Sequence, residues 1–210
     1  MDPLIISIFS IIILIFSVVI HEVAHGAAAN ALGDPTAKLA GRLTPNPLKH
    51  LDPVGSVLVP LFLILSNIGI VFGWAKPVPI NPYNFRDQKY GEAKVSFAGP
   101  AANLLIAIIF GLILRLMAFV SLPLSDAFIG LISMLQMIVL INLVLAIFNL
   151  MPIPPLDGSH LLFAVLPRFA DSLKLFFNQY GLIILFIFIF FGFKAIEPII
   201  SFFYYILVGF

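Results

Sequence analysis

The sequence contains no cysteine. That excludes a disulfide framework and any thiolate metal site, and it leaves His, Asp and Glu as metal ligands. Charge is scarce as well. Only 10% of the 210 residues are charged, against ~25% in soluble domains. The net charge is +1, so no basic field points to nucleic acid. No long polar stretch offers room for an appended globular domain, so 1–210 reads as a single membrane-embedded domain. What is present is apolar: 61% of residues are hydrophobic and the mean hydropathy is +1.14. The fold class that follows is an all-α polytopic membrane protein.

Residues 3–20 are uncharged and span about 27 Å as a helix. They lack a basic n-region and a small-residue cleavage site, so they read as a retained span. The helix is expected to run on to about Ala31, with Gly33 as its stop. A polar, Pro-rich connection covers 34–53. Residues 54–73 are apolar but broken by Pro60 and by Ser66-Asn67-Ile68-Gly69. A second polar connection covers 74–94. Apolar segments follow at 96–120 and 127–150, joined by a short turn at 121–126. In the first of them Ala98-Gly99-Pro100 places proline early in the helix, and Arg115 reaches for the far interface. An amphipathic connection at 158–175 precedes the last long run, 176–193. The tail 198–210 is too short to span and reads as an interfacial or re-entrant helix. About five membrane segments result, with a re-entrant or membrane-inserted region between the first two core spans.

Within the first helix stands His21-Glu22-Val23-Ala24-His25. Ionisable groups in an apolar span are expensive and point to function. Residues four apart share a helix face, so His21 and His25 can hold one metal ion. Glu22 lies about 100° round the helix, placed to reach a water beside the metal without being a ligand. Zinc with an open position lowers the pKa of water to about 7, and a carboxylate can then take the proton.

Charge bias ties the third ligand to this site. The connections at 34–53, 74–94 and 158–175 are basic and favour one side of the membrane. They share that side only if 54–73 dips in and returns, which its breaks permit when it is buried in protein. Asp157, after the non-helical Pro152-Ile153-Pro154-Pro155 stretch, then arrives at the histidines. It would complete a three-ligand zinc site, or it would cap the helix that follows. His50 falls on the same side, either as a donor to the reacting group or second partner of a ligand, or as a solvated loop residue. His160, three residues past Asp157, either approaches the metal or is a buried hydrogen-bonding residue. Asn103 reads as a bond between helices.

His21-Glu22-x-x-His25, Ala98-Gly99-Pro100-x-x-Asn103 and Asn149-Leu-Met-Pro152-Ile-Pro154-Pro155-Leu156-Asp157-Gly158 together resemble the site-2 protease family of intramembrane zinc metalloproteases. The resemblance covers essentially the whole chain. It implies His21, His25 and Asp157 as zinc ligands and Glu22 as catalytic base. It implies Asn149 as a catalytic residue that holds the substrate backbone or the developing oxyanion, where the residue by itself also reads as a helix-terminal Asn bonding nearby carbonyls. It implies a transmembrane protein or peptide as substrate, a lipid bilayer as surroundings, and a small member without a PDZ-like insert or nucleotide-sensing tail. The plasma membrane of a prokaryote is the expected location, and the sequence is compatible with a homo-oligomer. The rival is a zinc-binding membrane scaffold or carrier without proteolysis. Absence of an internal repeat speaks against a carrier, and Glu22 speaks against mere metal holding.

Overall fold

A computed structural model of the chain describes residues 3–59, 62, 65, 66, 75–118, 125–166 and 171–209. Among them every regular element is helical. Seven α-helices follow in order: α1 (Pro3–Ala31), α2 (Thr36–Leu39), α3 (Gly91–Ala118), α4 (Asp126–Asn149), α5 (Asp157–Val165), α6 (Asp171–Ile187) and α7 (Glu197–Val208). Four stretches are long and apolar enough to cross a membrane: Leu4–Ala31, Gly91–Met117, Asp126–Asn149 and Asp171–Ala195. A helix satisfies its own backbone polar groups in hydrocarbon, which is why these segments take that form. The protein is an integral, multi-pass membrane protein. The expected re-entrant segment at 54–73 and the turn at 121–126 lie mostly outside the described residues.

The ends of α1 and α3 set the depth of their side chains. At the end of α1, Gly33 takes φ +111°, and Asp34 N–H reaches back to the Ala29 carbonyl at 2.9 Å. A glycine just past the last turn allows that closure. Helix α3 begins one turn before the expected apolar start. The Asp87 carboxylate accepts from the N–H groups of Lys89 (3.1 Å) and Tyr90 (2.9 Å) and pairs with Lys94 Nζ at 2.6 Å. It satisfies donors that a helix start leaves open. Residues 91–95 are therefore helical rather than part of the polar connection. Pro100 consequently lies inside α3 instead of in its first turn, and it removes the bond to the Ser96 carbonyl.

Helix α3 is the central one, in contact with α1, α4, α5 and α7. Ala107, Leu114, Val139, Leu143 and Val208 form its main buried cluster. Val208 belongs to the tail, so the interfacial reading of 198–210 is corrected. Leu207 lies against Gly111, and Gly209 lies beside Arg115 toward the far end of α3. At its other end the tail follows Phe193, whose ring centroid is 6.3 Å from that of Phe148 near the close of α4. Twelve residues reach only about 18 Å. A π turn and a 3-10 turn over 188–195 join α7 to α6. Close packing on α3 and α4 outweighs an interfacial position.

The first two polar connections meet at one end of the bundle. Lys76 N–H donates to the His50 carbonyl at 2.8 Å. Arg42 Nη2 donates to the carbonyls of Lys76 (2.6 Å) and Pro77 (3.3 Å). His50 and Lys76 therefore stand at the same end of the bundle. Buried Asp34 ties the same parts together. It accepts from Asn81 N–H (2.7 Å), Asn84 Nδ2 (2.8 Å), Thr36 N–H (3.1 Å) and the Thr36 hydroxyl.

Burial pushes the Asp34 carboxyl up, but the bonds from Thr36, Asn81 and Asn84 outweigh it and hold the group below 3.8. The stability it adds is full above the ordinary carboxylate value and is lost as pH falls through the lower folded one. Asp34→Ala is expected to destabilise the protein in detergent by about 1–3 kcal/mol at neutral pH, because buried donors lose their acceptor. Thermal unfolding reads this, and the gap to wild type should close as pH drops below the carboxylate range.

Candidate metal centre

His21 and His25 lie one turn apart on α1, both buried. Asp157 comes from the other part of the chain. Past α4, short turns close with Ile153 N–H on the Met151 carbonyl and Leu156 N–H on the Ile153 carbonyl, both at 2.8 Å. They place Leu156 at the cap position of α5, where no side chain caps the helix. Asp157 is the first helical residue, and its carboxylate faces the histidines rather than the backbone of α5. Its Oδ2 is 3.1 Å from His21 Nε2 and 3.2 Å from His25 Nε2, and the two Nε2 atoms are 3.0 Å apart.

The proton positions follow from the partners. His25 Nδ1 is 2.7 Å from the Val95 carbonyl, which can only accept. His21 Nδ1 is 2.6 Å from Asn103 Oδ1. Asn103 Nδ2 donates to the Ser17 carbonyl (3.2 Å) and to Asn142 Oδ1 (2.9 Å), which fixes the amide with its oxygen toward His21. Asn142 is fixed in turn by donating to Ser17 Oγ (3.0 Å) and the Ile138 carbonyl (2.9 Å). Both imidazoles thus carry hydrogen at Nδ1 and turn an Nε2 lone pair toward Asp157.

Three electron-pair donors crowd one point without a proton between the nitrogens. This is unfavourable unless a cation sits there. Ligands 2.0–2.1 Å from one tetrahedral ion lie ~3.3 Å apart, close to the observed separations. An all-nitrogen and oxygen donor set suits zinc. Gly99 on α3 leaves the room, because a Cβ there would overlap Nε2 of both histidines.

Glu22 stays outside the donor triangle. Its Oε2 accepts from Val78 N–H at 2.8 Å, which ties it to the extended stretch after Lys76. Glu22, Asn149, Glu92, Ser96 and His160 join the three donors in lining a cavity of about 370 Å³. Asn149 Nδ2 donates to the Leu145 carbonyl of its own helix at 2.9 Å. His160 Nδ1 pairs with Glu92 Oε1 at 3.1 Å, and that carboxylate holds the imidazole above its ordinary 6.5 against burial. His50 is not brought to this cavity. It is buried, with Nε2 on the Thr44 carbonyl at 3.0 Å. The sequence reading did not assign Asn142, Ser17, Gly99 or Glu92 to the site. Asn142 carried a signal, being a polar residue within an apolar span.

A helical bundle with a His, His, Asp donor set beside a carboxylate outside that set defines a membrane metalloprotein. Residues 115–192 match the model of peptidase family M50, a stretch that includes Asp157 but not the histidines. The chain is 39% identical over 183 residues to YwhC of Bacillus subtilis, a candidate zinc metalloprotease, covering 87% of this chain and 80% of that one. It is 36% identical over 145 residues to Rip2 of Mycolicibacterium smegmatis, also a candidate zinc metalloprotease, covering 69% and 52%. Rip2 of Mycobacterium tuberculosis is 29% identical over 143 residues, covering 68% and 51%. The chain spans about half the length of the Rip2 proteins. No solved structure matches it. The chain belongs to peptidase family M50, the site-2 protease family, and is a zinc-dependent metalloprotease of the membrane.

Gly99→Ala is expected to cut zinc per chain at least as far as losing a ligand's hydrogen-bond partner does, about 10–100-fold in affinity. Metal analysis of purified protein reads this, with helical content as the control.

Proposed function

We propose that the chain is one membrane-embedded endopeptidase domain that hydrolyses a peptide bond in a transmembrane segment, with His21, His25 and Asp157 as zinc ligands. The observation that carries the reading is the convergence of three donor atoms within 4.8 Å, two of them on a membrane helix, next to Glu22. Zinc held there would polarise the scissile carbonyl and acidify a water. Glu22 takes the proton of the attacking water and returns it to the leaving nitrogen. Val78 N–H fixes one carboxylate oxygen, so the other is the one that moves the proton.

Asn149 holds the substrate backbone through Oδ1, which has no protein partner among the described residues. Asn103 positions His21 and sets its tautomer. The substrate enters as extended chain, because a helix shields its peptide bonds. Water enters from the end where the basic connections meet. A bacterial cytoplasmic membrane suits both the relatives and the charge bias.

The test uses full-length protein in liposomes with a fluorescent transmembrane peptide. Glu22→Gln should reduce cleavage by about 10²–10⁴-fold with zinc retained, whereas Asp157→Ala should lose both. Unchanged cleavage in Glu22→Gln would remove the base assignment. Cleavage confined to soluble peptides would remove the transmembrane substrate.

A further inference from the structure

His160 and Glu92 take no part in the mechanism above, yet both line the cavity. They come from different helices, α5 and α3, and their side chains meet at 3.1 Å. His160 stands one helical turn past Asp157, so the two share a face of α5. A carboxylate only accepts, so the bond to Glu92 puts a hydrogen on Nδ1. Nε2 is left with no protein partner among the described residues. Titratable groups around the ring are Glu92 on α3, Asp157 on its own helix and His25 on α1. The Glu92 carboxylate, in contact with the ring, favours its doubly protonated form, in which Nε2 is a donor.

We infer that His160 is a further catalytic residue, anchored through Nδ1 by Glu92, whose Nε2–H donates to the oxyanion formed from the scissile carbonyl. The inference rests on the metallopeptidase reading of the site. Proton and electron counts are simple. As the water oxygen bonds to the carbonyl carbon, its proton goes to Glu22 and the C=O π pair moves onto oxygen. That oxygen accepts from His160. When the C–N bond breaks, the oxyanion pair re-forms the C=O bond, the C–N pair goes to nitrogen, which takes the Glu22 proton, and His160 keeps its own.

Other donors on the wall fit the task less well. The amide donor of Asn149 is engaged on its own helix. The Ser96 hydroxyl is neutral, and a charged donor makes the stronger bond to an anion. Donors aimed at developing charge are worth about 10²–10³ in rate. The half-exposed Glu92 and His160 side chains lie one turn nearer the α3 start than the Val95 that anchors His25. An extended peptide entering from that end meets the pair before it reaches the histidines.

The experiment compares two inhibitors of one peptide sequence on zinc-loaded, full-length protein in detergent. A phosphonate mimics the tetrahedral oxyanion, and a thiol binds metal without one. His160→Ala should weaken the phosphonate about 10²-fold and leave thiol affinity and zinc content unchanged. His160→Gln, which keeps an N–H donor, should recover part of the loss. Glu92→Gln should show the same selectivity with a smaller loss. Equal losses for both inhibitors, no loss for either, or a selective loss in Ser96→Ala instead would overturn the inference while the metallopeptidase reading stands. Wild-type protein that holds no zinc and binds neither inhibitor would overturn that reading, and this inference with it.

Discussion

Lone pairs aimed at one another repel, and this fold aims three of them at one point. His21 Nε2, His25 Nε2 and Asp157 Oδ2 are held 3.0–3.2 Å apart. Nothing in the side chains themselves would choose that arrangement. The surroundings impose it: Val95 and Asn103 hold the outer ring nitrogens, and Asn142 and Ser17 hold Asn103. The network joins α1, α3 and α4 at one depth. In hydrocarbon its members cannot trade these bonds for water, so displacing one leaves another unsatisfied. Helix packing and ligand geometry are therefore the same problem in this protein. Gly99 of α3 serves both, since it lets the helices approach and leaves room for Nε2 of both histidines.

Much of this was legible in the sequence because the spacing is local. His21 and His25 are one turn apart on any helix, and a carboxylate next to them in an apolar span has few bland explanations. Asp157, distant along the chain, was legible for a different reason. Basic connections choose a side of the membrane, and that choice delivers residue 157 to residue 21. Gly33 stopped α1 as a positive-φ glycine does.

What escaped reading depended on rotation and on backbone. Glu22 is held by the N–H of Val78, and a backbone donor has no residue signature. The Asn142–Asn103 bond needs two helices turned toward each other, which composition does not specify. Residues 91–95 looked like connection because they are polar, yet the Asp87 cap makes them helix and so puts Glu92 beside His160. The packing of the tail on α3 and α4 depends on tertiary contacts that its length does not reveal. His50 was read as a possible reagent, but it is a closing pin, with its carbonyl on Lys76 and its ring on Thr44.

That pin has an evolutionary corollary. With His50 and Lys76 clasped, the two ends of the intervening stretch are joined by a bond of their own. The entropy of closing a loop grows only slowly with its length. Descendants could lengthen, shorten or replace the interior while that bond was kept. Joined ends of this kind let the stretch between them change while the hold of Val78 on Glu22 stays in place.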